Sequence, residues 1–226
     1  DYDVLIVGGG IAGLQAAIDI GDQGYRVLVV EKEPSIGGKM IALSKVFPTL
    51  DCASCICTPR MAEAAHHDNV TIMTYAEVAS IERSDGFFSA RVIQKPRFVS
   101  ERNCIGCRKC EYVCPVDVPD EFEGNLGARK AIYIPFTNAI PQVALLDIDN
   151  CIRCGRCETV CPADAIEYDQ QPEEKTLSFG AVVLTTGYEL SPMNTKPEYR
   201  GDELVNVLNP LQVERLLAPH GPYGRV

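Results

Sequence analysis

The chain has 226 residues, 46% hydrophobic and 23% charged, which is enough apolar material for one sizeable core and a small satellite unit. No stretch approaches the roughly 18–20 uninterrupted apolar residues of a membrane span, and no export-type leader precedes Asp1, so a cytoplasmic protein is expected. The net charge of −10, from 31 acidic and 21 basic side chains, argues against a nucleic-acid partner, and the odd count of eleven cysteines argues against a secreted disulfide framework.

In chain order, Val4–Val7 reads as a short buried strand ending at Gly8. A helix follows from Ile11 to Asp22, with Ile11, Leu14, Ala17 and Ile18 on one side, and stops near Gly24. Val27–Val30 reads as a second buried strand. A further helix is expected to open at Thr58-Pro59, with Thr58 as N-cap and Pro59 at the first helical position. Val70–Met73 resembles another parallel strand, and Ala79–Ile81 with Phe87–Ile93 resembles a β-ribbon. From about Pro96 to Gln171 cysteines cluster and helical periodicity fades, which marks a second unit. Leu177–Thr186 then returns as one buried strand, and the tail from Ser191 to Val226 holds a short helical pattern around Leu211, Glu214, Arg215, Leu216 and Leu217. The expected organisation is a first domain over 1–95, an insertion over 96–172, and an apparently incomplete resumption of the first domain over 173–226.

Gly8-Gly9-Gly10-Ile11-Ala12-Gly13 fits G-x-G-x-x-G between a strand and a helix. Gly8 permits the tight turn, Gly10 lets backbone approach a pyrophosphate, and Gly13 lets helix and strand pack closely, with the helix N-terminus facing the phosphates. Glu31 falls 18 residues after Gly13, at the end of the second strand, where a carboxylate can bond the adenosine ribose hydroxyls and repel a 2′-phosphate. The stretch Glu31-Lys32-Glu33-Pro34-Ser35-Ile36-Gly37-Gly38-Lys39 resembles the flavoprotein continuation, and Phe179–Gly187 resembles the returning strand and Thr-Gly turn of flavoproteins with two dinucleotide-binding domains. FAD is therefore favoured over NAD. The candidate contacts are Gly8, Gly10, Gly13, Glu31, Lys32, Gly37, Gly38, Lys39, Thr186 and Gly187, and the flavoprotein resemblance adds backbone near Val78 at the adenine.

Cys104-x2-Cys107-x2-Cys110-x3-Cys114-Pro115 is the run of bacterial ferredoxins, and Cys151-x2-Cys154-x2-Cys157-x3-Cys161-Pro162 repeats it. A loop spaced two and two wraps three thiolates around one cubane, while the fourth points into the opposite one. The expected ligand sets for two [4Fe–4S] clusters are Cys104, Cys107, Cys110 and Cys161, and Cys151, Cys154, Cys157 and Cys114. Zinc ribbons need only two C-x2-C pairs per site and give no reason for the third Cys or the Cys-Pro. The 36 residues between Cys114 and Cys151 exceed ordinary ferredoxin spacing, which points to a loop or partner-contact segment.

Cys52-Ala53-Ser54-Cys55-Ile56-Cys57 leaves three readings open. The three thiolates can hold three corners of a further cluster completed by another domain or chain. Alternatively Cys52 and Cys55 form a redox dithiol beside the flavin, or all three are buried, inert thiols. His66 and His67 fall late in the following helix, where a solvated or C-terminal charge role is the default and cluster ligation the alternative.

Taken together, Val4–Gly13, Glu31–Gly38, Phe47-Pro48-Thr49-Leu50-Asp51-Cys52-x2-Cys55, Thr58-Pro59-Arg60-Met61 and the inserted double run resemble the A-type, FAD- and iron–sulfur-carrying component of heterodisulfide reductase. The relatives of that family include components of quinone-interacting and class II benzoyl-CoA reductase complexes. The resemblance implies an α/β chain: a Rossmann-like FAD-binding domain of the thioredoxin-reductase/glutathione-reductase type, interrupted by an inserted α+β bacterial 2[4Fe–4S] ferredoxin-like domain. It implies a cytoplasmic oxidoreductase component of a hetero-oligomer that relays or bifurcates electrons among B- and C-type partners, hydrogenase or formate dehydrogenase modules, and ferredoxin. The alternative is an iron–sulfur wiring module without a productive flavin. Cys57 occupies a position that is usually aliphatic in the family.

Overall fold

The computed structural model describes residues 2–84, 86–201 and 203–224; Arg225 and Val226, the end of the tail, lie outside the described residues. β1 (Val4–Val7), β2 (Val27–Glu31), β3 (Val70–Thr74) and β7 (Ala181–Leu184) form a parallel sheet in the order β7-β1-β2-β3. Val4 stands opposite both Val27 and Ala181, and Glu31 opposite Thr74. The two central strands are apolar on both faces because both faces are covered. On one side α1 (Ile11–Gly21) and α2 (Ala53–His66) pack through Leu14, Ile18, Cys57, Met61 and Ala64. On the other lies an antiparallel sheet of β4 (Ala76–Ser84), β5 (Phe87–Gln94) and β6 (Glu173–Phe179), whose Ala90, Val92 and Phe179 meet Leu5, Leu28 and Val30.

Two elements depart from the reading of the sequence. The single strand expected over Leu177–Thr186 is two strands, β6 and β7, separated at Gly180. β6 pairs antiparallel with β5, whereas β7 enters the parallel sheet, so the chain changes layers where the Gly180 N–H donates to the Asp3 carbonyl at 2.8 Å. The expected ribbon accordingly starts earlier, at Ala76, and gains β6 as a third strand. Likewise α2 opens at Ala53 with Cys52 as N-cap, and Pro59 lies inside it rather than at its first position. The Cys52 sulfur accepts the Cys55 N–H at 3.3 Å and does the capping, while Thr58 Oγ1 instead accepts from Asn138 Nδ2.

Residues from Val99 to Tyr168 pack around their own small core of Val99, Ile132, Ile134, Val143, Leu146 and Ala165. Two short helices, α3 (Lys109–Val113) and α4 (Arg156–Val160), follow the two cysteine loops and touch each other. The long spacer between the runs is no free loop. It forms the hairpin Asp117–Pro119/Ala128–Lys130 and then docks on the first unit: Ile36 N–H donates to the Ile140 carbonyl at 3.0 Å, and Ser35 Oγ accepts Ile140 N–H at 2.9 Å. Phe122, Phe136 and Ile140 pack against the Ile36–Met61 core. α5 (Pro210–Leu217), opened by a capping box between Asn209 and Gln212, closes a clasp over this junction. Its buried Arg215 forms a bidentate pair with Glu123, both bonds 2.9 Å, and donates to the Ala42 carbonyl.

Candidate functional site

The C-terminal ends of β1 and β7 meet where the strand order reverses, the position at which open α/β sheets hold nucleotides. There two glycine loops face each other: Gly37 N–H donates to the Gly9 carbonyl at 2.9 Å, and Gly10 and Gly37 form a parallel bridge. A Cβ on Gly13 would lie 2.0 Å from the Gly8 carbonyl oxygen, and one on Gly8 would lie 2.3 Å from that of Thr185. Both glycines are therefore required by packing. A Cβ on Gly10 would meet nothing nearer than the Gly38 Cα at 3.9 Å. The space above Gly10 is open, and beside it lie the free N–H groups of the first turn of α1, which carries no acidic residue. This bare, donor-rich ledge fits a dinucleotide pyrophosphate.

Glu31 is buried at the end of β2. Its Oε2 accepts Gly9 N–H at 2.5 Å and its Oε1 accepts Glu33 N–H at 2.9 Å. Burial raises its carboxyl above the ordinary range, against the two amide donors. Each carboxylate oxygen keeps a second lone pair for a ribose hydroxyl. Lys32 is exposed at the rim. Lys39 donates to the Tyr188 carbonyl and lies 4.9 Å above the Tyr188 ring, bridging the second glycine loop to the segment after β7. Thr186 and Gly187 are exposed on that segment. Val78 sits on β4 opposite Val92, at a bulge, with its side chain against the Leu5–Phe179 core. Sequence reasoning misses Thr185, whose hydroxyl is within 3.0 Å of the Val7 carbonyl oxygen and 2.9 Å of that of Gly8 and so holds the glycine turn. The available signal is a hydroxyl directly after the last residue of the apolar strand Ala181–Leu184, which is a half-exposed edge of the parallel sheet rather than the buried strand expected.

The eight cysteines of the two runs divide between two cavities. Cys104, Cys107, Cys110 and Cys161 line one cavity; Cys114, Cys151, Cys154 and Cys157, with Tyr168, line the other. Arg108 and Gly155, in the left-handed conformation, end the two loops and let α3 and α4 begin, which throws Cys114 and Cys161 across to the opposite cavity. Backbone N–H groups already aim at sulfur: Arg153 N–H to Cys151 at 3.3 Å and Ala165 N–H to Cys161 at 3.3 Å. Burial, helped by the neighbouring Glu111, pushes the Cys110 thiol up to about 12, and burial raises that of Cys157. Thiolates at these positions need compensating positive charge, which bound iron would supply. The donor set, all sulfur and four to a cavity, fits an iron–sulfur cluster in each.

The remaining three cysteines are not brought together. Cys52 and Cys55 are paired as a disulfide at the exposed start of α2, with Cα atoms 5.2 Å apart. Cys57 points the other way, fully buried among Leu14, Ile36 and Met61, with its Sγ 3.7 Å from the Gly37 carbonyl oxygen, and burial pushes its thiol up to about 11. Two residues on a helix turn through about 200°, so Cys55 and Cys57 cannot face one cluster. His66 hydrogen-bonds the Ala62 carbonyl at 2.7 Å, and His67 bridges Asp22 and the Asn69 N–H. Both ties are local to the helix ends.

A family model described as FAD dependent oxidoreductase matches residues 3–54, and one described as a 4Fe-4S dicluster domain matches residues 103–166. Among solved structures, thioredoxin reductase of T. acidophilum is 29% identical and covers 41% of this chain and 31% of its own, with a TM-score of 0.37. The A-type iron-sulfur subunit of CoB–CoM heterodisulfide reductase from Methanocaldococcus jannaschii is 51% identical over 224 residues, covering 99% of this chain and 34% of the relative. The A-type subunit of the H2/formate:CoB-CoM heterodisulfide,ferredoxin reductase from Methanococcus maripaludis is 46% identical over 222 residues, covering 98% and 34%. With an FAD-oxidoreductase-type α/β fold and a 4Fe–4S dicluster domain, the chain is similar along nearly all of its length to these A-type heterodisulfide reductase subunits and spans about a third of theirs.

Proposed function

We propose that this chain relays electrons between FAD, held along the Gly8–Gly13 and Glu31–Gly38 loops, and two [4Fe–4S] clusters held by the crossed cysteine sets, as part of a cytoplasmic heterodisulfide-reductase-type complex. When bound, a flavin exchanges electrons in pairs and iron–sulfur clusters exchange them singly, so their pairing converts one regime into the other. The chain's own residues bind, orient and insulate. The α1 N-terminus and the Gly10–Gly38 ledge receive the pyrophosphate, Glu31 the ribose, and Thr185 fixes the turn between them. The Ser35–Ile140 and Arg215–Glu123 contacts hold the cysteine-rich unit at a set position on the flavin unit. B- and C-type components, hydrogenase- or formate-dehydrogenase-linked modules and ferredoxin are the proposed partners.

The single observation carrying this reading is the division of eight cysteines, four to each of two cavities, in a unit hydrogen-bonded to the one that carries the glycine-lined crevice. Its test is the cofactor content of protein purified without oxygen. About eight irons per chain together with acid-released FAD are expected. Eight irons without flavin would leave a wiring module instead, and zinc in place of iron would overturn the proposal.

A further inference from the structure

We infer that Tyr168 tunes one of the two iron–sulfur sites, making the set Cys114, Cys151, Cys154 and Cys157 the one of higher reduction potential. This rests on the proposed reading that each cysteine set holds a cluster. The Tyr168 hydroxyl lies 3.4 Å from the Cys157 sulfur, and its ring lines the same cavity while packing on the core of the insert. The bridge between Val99 and Ile166 fixes the segment that delivers it. A cysteine that ligates iron has no proton to give, so the phenol is the donor.

The two sites carry equal backbone donation to sulfur, which makes the side-chain difference legible. Each receives one backbone N–H on a cysteine sulfur, from Arg153 in one and Ala165 in the other. Cys110 is the counterpart of Cys157 in the first run, and among the described residues no side chain donates to its sulfur. What stands beside it is the carboxylate of Glu111, half-buried and held by the Ile134 N–H at 2.5 Å, its charge partly offset by Arg108 at 3.3 Å. The matching residue of the second run, Glu158, is exposed to solvent, where its charge is screened. A donor to a ligating sulfur stabilises the more negative, reduced cluster, and a desolvated carboxylate opposes reduction. Both differences push the same way. An electron shared within the insert should therefore reside at the Tyr168 site, with the Cys104 set as the more strongly reducing one.

The test is an anaerobic redox titration of the iron-loaded chain followed by electron paramagnetic resonance, in the wild type and in Tyr168→Phe. Two separated one-electron steps are expected in the wild type. Tyr168→Phe keeps the ring and should weaken reduction at the higher step about tenfold, or ~59 mV, leaving the lower step in place. An unmoved higher step, or a shift in the lower one, overturns the inference. Glu111→Gln keeps an acceptor for Ile134 N–H and should raise the lower step alone; movement of the higher step instead would reverse the assignment. A wild-type chain that takes up no iron defeats the underlying reading, an outcome distinct from a loaded chain whose potentials ignore Tyr168.

Discussion

Two glycines of one motif answer to different forces. Gly13 is demanded by protein, since its Cβ would lie 2.0 Å from the Gly8 carbonyl oxygen, whereas Gly10 faces open space and has extended backbone angles any residue adopts. Gly13→Ala should therefore cost about 3 kcal/mol of stability through overpacking. Gly10→Ala should stay within about 1 kcal/mol of wild type while losing most of the bound flavin. Thermal unfolding and flavin-to-protein absorbance together separate the two, and equal losses of stability would contradict the distinction. Glu31 gives a pH signature. Burial raises its folded-state value, so its contribution to stability is full below the unfolded carboxyl value and is lost as pH rises through the folded one. The stability gap between wild type and Glu31→Gln should widen as pH falls from 7 toward 4 in denaturant titrations. A gap that narrows would show the two amide bonds outweighing burial.

At the level of elements, α5 acts through one buried ion pair. Arg215 is 1% exposed and Glu123 14%, and the guanidinium also sits 4.6 Å over the Phe122 ring. Removing one partner strands the other charge, so Arg215→Ala should cost about 3–5 kcal/mol, while replacing both by apolar residues should cost much less. Urea denaturation of the two variants checks this, and similar losses in both would assign the effect to packing. The same scale explains why α2 is misread from sequence. Thr58-Pro59 has the composition of a helix start, yet Cys52 supplies a sulfur acceptor six residues earlier and the helix accommodates Pro59 in its interior.

Across the whole molecule, the question is whether the cysteine-rich unit swings or stays put. Ser35, Ile140 and Arg97 argue that it stays: Arg97, nearly fully buried, donates to the Pro34 carbonyl and Thr74 Oγ1 on one side and pairs with Glu101 on the other. Ser35→Ala leaves the Ile140 N–H unpaired, a cost of about 1–3 kcal/mol located at the junction. Faster hydrogen exchange is expected in residues 120–142, with the β1–β2 core unchanged. Uniform loosening of both units would instead indicate one cooperative body.

The sequence by itself determined the strand–glycine–helix start and the two cysteine loops, because each depends on contacts close along the chain: a turn that tolerates only glycine, or three thiols wrapped within seven residues. The layer change at Gly180, the support of Thr185 beneath Gly8, the docking of the long spacer and the approach of Tyr168 to Cys157 were decided by tertiary structure alone. Each joins groups whose pairing carries no local periodicity, so only the packed chain fixes which donor meets which acceptor.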